Sequence, residues 1–303
     1  MCGIFGIVSP EKWPKDDLVR LTHYAEQRGR DSSGLFHRSG NSYRVDKADH
    51  GIARLLKDTT PFDTDVVMGH SRLITNGLGD NQPVVRDGIV VLHNGIIVNY
   101  DEIWNGIDKA RELQIDTEII PALAALHLEE GGAIDGIAEA VLSRCKGVVA
   151  CALAVPALGK LCLFSNNGSL YLGRKGGGHY FSSEAYPLEQ VGCTDVVQVK
   201  AEGRVLDIPA SNGQVAVSSA RSRTVNLIPE LVLSSAEEKL LIHAEPVLRR
   251  CTRCILPETM PFIAFDDEGV CNYCTNYRKR NAPKPKEDLF KLVEPYRRAQ
   301  GND

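Results

Sequence analysis

The second residue of this 303-residue chain is a cysteine, in the stretch MCGIFGIV. Cysteine is small enough that removal of Met1 is expected, and Cys2 would then carry both a thiol and a free α-amine. An α-amine titrates near about 7.7–8.0, far below lysine. One residue would thus hold a nucleophile and a base usable at neutral pH, as in N-terminal nucleophile enzymes. The same eight residues also read as a short buried strand in which Cys2 is only a small apolar side chain.

Four further stretches within the first 120 residues carry groups suited to one active site. GHSRLIT sets Arg72 at the end of a strand, and a planar guanidinium can hold a carboxylate with two parallel hydrogen bonds. HNGIIVNY offers the Asn94 side-chain amide and the Gly95 backbone N–H, the donor pair an oxyanion hole needs. IDTE puts Asp116 at a helix start, and the polar turn RGRDSSG could frame a pocket. Each also has a plain structural reading. Arg72 could form a surface ion pair, Asn94-Gly95 a turn, and Asp116 an N-cap. His70 and His93, beside these motifs, read as histidines hydrogen-bonded at strand ends.

Together the groups fit a single ligand: a carboxylate for Arg72, an ammonium for Asp116 and a carbonyl for Cys2 to attack, which glutamine supplies. MCGIFGIV, RGRDSSG, GHSRLIT, NQP, HNGIIVNY and DTE, in that order, resemble the class II glutamine amidotransferase domain over about residues 2–210. The glutaminase halves of glucosamine-6-phosphate synthase and asparagine synthetase are the nearest in flavour. The resemblance implies a four-layer αββα N-terminal nucleophile hydrolase sandwich. It also implies that Cys2, Asn94 and Gly95 are catalytic and that Arg72, Thr75 and Asp116 bind substrate. Glutamine would be hydrolysed through a Cys2 thioester to glutamate and ammonia. Arg30 stands where this family usually has proline, which alters loop stiffness and leaves the chemistry intact.

Four of the nine cysteines are clustered, Cys251, Cys254, Cys271 and Cys274, spaced C-x2-C-x16-C-x2-C. Two close thiolate pairs can surround one tetrahedral Zn²⁺, and such a structural site has no open ligand position. An iron–sulfur cluster is the competing reading, since it also takes four cysteines. The wording CTRCILPETMPFIAFDDEGVCNYC resembles the zinc-binding leader of N-acetyl sugar amidotransferases and related ATP-pyrophosphatase enzymes. In those proteins a glycine-rich phosphate loop follows, and none occurs before Asp303. The expectation is a chain cut before a synthetase domain, or one paired with a separate synthetase subunit. ATP would be bound only there, and ammonia would go to a sugar or another small metabolite.

The elements that must position these residues follow from hydrophobic period and turn signals. Strands are expected near 2–9, 35–38, 42–48 and 66–75, with a hairpin over 84–97 about Asp87-Gly88. Helices are expected over 15–27, 99–106, 117–130 and 133–144, then short strands from 147 to 208. Strands, helices and strands again make an α+β layered domain. Residues 211–250 read as a polar connector and a linker helix capped at Ser234 or Ser235. The zinc module spans 251–277, and 278–303 is a polar tail with a short amphipathic piece.

With 43% hydrophobic and 24% charged residues the chain reads as globular, and its net charge of −4 argues against nucleic acid as a partner. No apolar run approaches the roughly 18 residues that span a membrane, no signal peptide is seen, and a cytoplasmic location is expected. Two other classes stay open: a different N-terminal cysteine hydrolase such as an acylase, or a non-catalytic interaction protein built around the zinc module.

Overall fold

A computed structural model describes residues 2–73, 80–200, 203–220, 247–278 and 284–297. The chain divides into two compact units, Met1–Leu227 and Ile228–Asp303.

The first unit is built on two antiparallel-rich sheets. Strand β1 (Gly3–Val8) lies between β4 (Val66–Arg72) and β10 (Gly178–Ser182). β2 (Ser32–Ser39) and β3 (Ser42–Ala48) extend the sheet beyond β4, and β9 (Tyr171–Lys175) and β11 (Thr194–Gln198) extend it beyond β10. The second sheet has the order β12 (Arg204–Asp207), β8 (Lys160–Ser165), β7 (Gly147–Val155), β6 (Ile89–Ile97), β5 (Val84–Arg86).

Alternation along β1 explains the layering. Ile4 and Val8 pack between the sheets with Phe36, Met68, Val90, Leu92 and Leu163. Phe5 and Ile7 face the other way, onto helices α1 (Lys15–Glu26) and α2 (Ile52–Thr59). On the far face of the second sheet, Val91, Val149 and Leu153 pack under α3 (Ile119–Glu129) and α4 (Ile137–Leu142). Helix, sheet, sheet, helix is the expected αββα sandwich, with its core between and outside the sheets.

Three local expectations change. The RGRDSSG stretch is only half a loop, because β2 begins at Ser32. Ser32 and Ser33 can enter the sheet since their hydroxyls are hydrogen-bonded, to Asn81 Oδ1 at 3.1 Å and to the His50 carbonyl at 2.6 Å. Helix α2 was not anticipated, although Ile52, Leu55 and Leu56 carry the i, i+3, i+4 spacing that forms its buried face. Within the expected connector, β13 (Val215–Ala220) adds a parallel strand beside β3. In its sequence VAVSSA, Val215 packs against the core between the sheets, and the Ser218 hydroxyl donates to Asp46, which also accepts from His37 Nε2 at 3.0 Å and Arg44 Nε at 2.8 Å. The expected linker helix and its cap at Ser234 or Ser235 lie outside the described residues.

Candidate active site and cysteine cluster

Cys2 sits just before β1, half-buried, on the side facing the second sheet. Its backbone N–H donates to Asn94 Oδ1 at 3.1 Å, and its Sγ lies 3.6 Å from the Leu73 carbonyl oxygen. Once Met1 is removed, the nitrogen held by Asn94 would be the α-amine. The Cys2 carbonyl accepts from Arg28 Nε at 2.8 Å, and the Arg28 guanidinium is paired with Glu184. Burial pushes the Cys2 thiol above its ordinary value, against the pull of the positive charges of Arg72 and Arg28. The resting nucleophile is a neutral thiol that needs a base.

Asn94 belongs to β6, whose even-numbered residues point between the sheets, so it reaches across to Cys2. Gly95 follows where no side chain fits. A Cβ there would stand 1.8 Å from the Val148 carbonyl oxygen and 2.8 Å from His93 Nε2. That carbonyl is turned inward because it accepts from His93 Nε2 at 3.1 Å. His93 therefore carries its proton on Nε2, and its Nδ1 accepts from the Thr117 hydroxyl at 3.2 Å.

Arg72 and Asp116 are both buried, each only 3% exposed. The Arg72 guanidinium donates to the Asp80 carbonyl and lies within the electrostatic reach of Cys2, Asp116 and Asp31. Asp116 does not cap the short helical turn it begins; its Oδ2 accepts from the Ile97 N–H at 2.8 Å. A buried carboxylate held by the strand that carries Asn94 and Gly95 leaves its second oxygen for a ligand cation. His70 is also fully buried, but its ring nitrogens lack hydrogen-bond partners among the described residues. Burial and neighbouring Arg72 hold it neutral, down at about 3.

The structure thus brings Cys2, Asn94, Gly95, Arg72 and Asp116 near one another, while Thr75 lies outside the described residues. Sequence reasoning missed Arg28, although RGRDSSG was singled out as a frame for the pocket. It also missed Gln82 and Thr117, whose motifs NQP and DTE were noted without a task for those residues.

In the second unit, the four sulfurs of Cys251, Cys254, Cys271 and Cys274 all lie within 4.8 Å of one another. Cys251 Sγ accepts three backbone N–H groups, from Cys271 at 3.2 Å, Arg253 at 3.4 Å and Cys254 at 3.5 Å. Burial works against a Cys251 thiolate, but these donors outweigh it and bring the group to about 6. Four converging sulfurs, one already favoured as a thiolate, could hold a single metal ion.

Residues 70–190 match the glutamine amidotransferase domain family. The chain is 31% identical over 201 residues to the glutamine–fructose-6-phosphate aminotransferase (isomerizing) of Mesorhizobium japonicum, covering 62% of this chain and 32% of that one. It is 33% identical over 150 residues to the Clostridium perfringens protein of the same name, covering 46% and 24%. The chain thus spans about a third or less of the length of these relatives. Among solved structures, the glutamine phosphoribosylpyrophosphate amidotransferase from B. subtilis shares the fold, with a TM-score of 0.54 at 20% identity over 68% of this chain and 49% of that one. The first unit is a four-layer αββα sandwich, the fold it shares with that enzyme. Within it, residues 70–190 are similar to the glutamine amidotransferase domain family.

Proposed function

We propose that this chain hydrolyses glutamine to glutamate and ammonia, and that the ammonia feeds an ATP-dependent synthetase. The observation that carries the reading is the pairing of one buried cation and one buried anion, Arg72 and Asp116, beside a cysteine whose backbone nitrogen rests on Asn94. Arg72 binds the α-carboxylate and Asp116 the α-ammonium, which fixes the side-chain amide against Cys2.

The deprotonated α-amine takes the thiol proton as the sulfur attacks the amide carbon, and the carbonyl electron pair moves onto oxygen. Asn94 Nδ2 and the Gly95 N–H hold that oxyanion, each worth about 3 kcal/mol in comparable sites. Collapse of the intermediate expels ammonia, protonated by the α-ammonium, and leaves a thioester. Water, deprotonated by the same amine, then releases glutamate and regenerates the thiol. The test is release of glutamate by the chain beginning at Cys2, abolished in a folded Cys2→Ala variant. Cleavage of N-acyl amides without glutamine hydrolysis would assign the chain to the acylases.

For the cysteine cluster we favour Zn²⁺. At Zn–S of about 2.3 Å a regular tetrahedron sets its sulfurs about 3.8 Å apart. Cys254 to Cys271 at 3.5 Å and Cys251 to Cys274 at 3.9 Å straddle that value. An iron–sulfur cluster spreads its thiolates over several irons and suits this compact set less well. The ion would serve structure, since all four positions are taken. Metal analysis at one zinc per chain is the expected result. The ATP-pyrophosphatase-type partner and a sugar or small-metabolite acceptor rest on the CTRC…CNYC resemblance, and a cytoplasmic setting accords with four reduced thiols.

A further inference from the structure

The NQP motif, Asn81-Gln82-Pro83, touches none of the groups assigned to glutamine, yet it stands at the junction of all of them. The β5–β6 register pairs Val84 with Val91, and two residues further on it would set Gln82 opposite His93. The backbone ladder ends at that Val84–Val91 rung. The Gln82 side chain takes over as a strand: its Oε1 accepts from the His93 N–H at 2.6 Å and its Nε2 donates to the His93 carbonyl at 3.0 Å. The residues it fixes come directly before Asn94 and Gly95.

Gln82 Nε2 also donates to Thr117 Oγ1 at 3.2 Å. Thr117 is the neighbour of Asp116. Because the Val148 carbonyl makes His93 carry its proton on Nε2, the Thr117 hydroxyl must donate to His93 Nδ1, and its lone pair receives Gln82. One directional chain of hydrogen bonds thus runs Gln82, Thr117, His93, Val148, and every side chain in it is buried: Gln82 4%, His93 1% and Thr117 0% exposed.

The same segment is tied to the rest of the site. Asn81 Nδ2 donates to the carbonyls of Ser33 at 2.8 Å and Ala48 at 3.1 Å, locking the turn onto β2 and β3. Gly34 lets it lie there, since a Cβ would stand 2.0 Å from the Gln82 carbonyl oxygen. Next door, the Asp80 carbonyl accepts from Arg72, and the Asp80 carboxylate accepts from the Gln114 N–H, two residues before Asp116.

We infer that Gln82 and Thr117 are positioning residues that couple the oxyanion hole at Asn94-Gly95 to the ammonium anchor at Asp116, so that the amide and the α-amino group of glutamine are registered against each other. The inference rests on the glutaminase reading above. Neither residue touches substrate; both act through β6 and the turn at Asp116.

The test compares Thr117→Val, which keeps the shape and removes the hydroxyl, with Thr117→Ser, which keeps the hydroxyl. Steady-state glutamine hydrolysis is measured well below the melting temperature of each variant. Thr117→Val should lower kcat and raise KM, together costing kcat/KM about tenfold or more, and Thr117→Ser should stay within about twofold of the unaltered protein. Combined with Asp116→Asn, the effect of Thr117→Val on KM should be less than multiplicative, because both act on one contact. A folded Thr117→Val with unaltered kinetics, a change in kcat alone, or a Thr117→Ser as impaired as Thr117→Val overturns the inference. Absence of turnover in the unaltered chain beginning at Cys2 instead refutes the glutaminase reading.

Discussion

Asp116→Asn separates substrate anchoring from chemistry. The carboxylate is 3% exposed, and its Oδ2 accepts from the Ile97 N–H at 2.8 Å. An amide of the same shape keeps that acceptor, so the turn at 116–118 stays in place and stability changes little. What disappears is the negative charge proposed to face the α-ammonium and the support it gives to Arg72, which retains Asp80 and Asp31. A buried hydrogen bond to a charged group is worth about 1.5–3 kcal/mol, or about 10- to 150-fold in affinity. The contact exists equally in the ground and transition states, so KM should rise by that factor while kcat moves only a few-fold. Steady-state glutamate production reads both constants. Glutaramate, glutamine without its α-amino group, supplies the control, because the unaltered protein should use it as poorly as Asp116→Asn uses glutamine. With glutaramate the variant should lose nothing further. A KM for glutamine within twofold of the unaltered value, in a folded variant, refutes the assignment of Asp116.

Three other perturbations bear on separate parts of the chain. Cys254→Ser removes one of four sulfurs, and metal analysis with limited proteolysis should show lost metal and a loosened second unit, while glutamine hydrolysis stays within about twofold. Met1 blocks the α-amine, so the fraction of chains beginning at Cys2, read by intact mass, should equal the fraction of active sites titrated. With the thiol pushed up by burial, the rate should rise with pH as the α-amine loses its proton near about 8. Burial would raise Asp46, but His37, Ser218 and Arg44 hold it at about 2, below its unfolded value of about 3.9. Its contribution, about 2 kcal/mol, is therefore full above pH ~4 and lost as pH falls toward 2, so acid melting curves should be steeper for the unaltered chain than for Asp46→Asn.

How much could be read from sequence depended on whether a residue's task was local. The Asp87-Gly88 hairpin and the paired cysteines declare themselves within a few positions, and β5, β6 and the sulfur cluster stand where spacing puts them. Residues whose partners come from distant segments were opaque. Ser32 and Ser33 look like loop residues until Asn81 and His50 satisfy their hydroxyls inside the sheet. Strand β13 opens with a short apolar VAV inside an otherwise polar stretch, and its anchor Asp46 lies 172 residues away from Ser218 in the chain. Helix α2 is legible in the i, i+3, i+4 spacing of Ile52, Leu55 and Leu56.

The site shows the same division. Asp116 opening a helical turn fits an N-cap on sequence alone, and only the Ile97 N–H, 19 residues upstream, shows that its carboxylate is committed to the strand instead. This follows from geometry. A helix N-cap bonds N–H groups two or three residues ahead, whereas Asp116 turns back toward β6, which aligns it with Asn94 and Gly95. The replacement of a β5 backbone rung by the Gln82 side chain acts in the same direction. A backbone ladder would have held His93 from one side and left Thr117 without the Gln82 donor, whereas a side-chain amide can pair with His93 and Thr117 at once. The Gln82 amide, standing where the next backbone rung would fall, is therefore what allows the two halves of the site to share one hydrogen-bond chain.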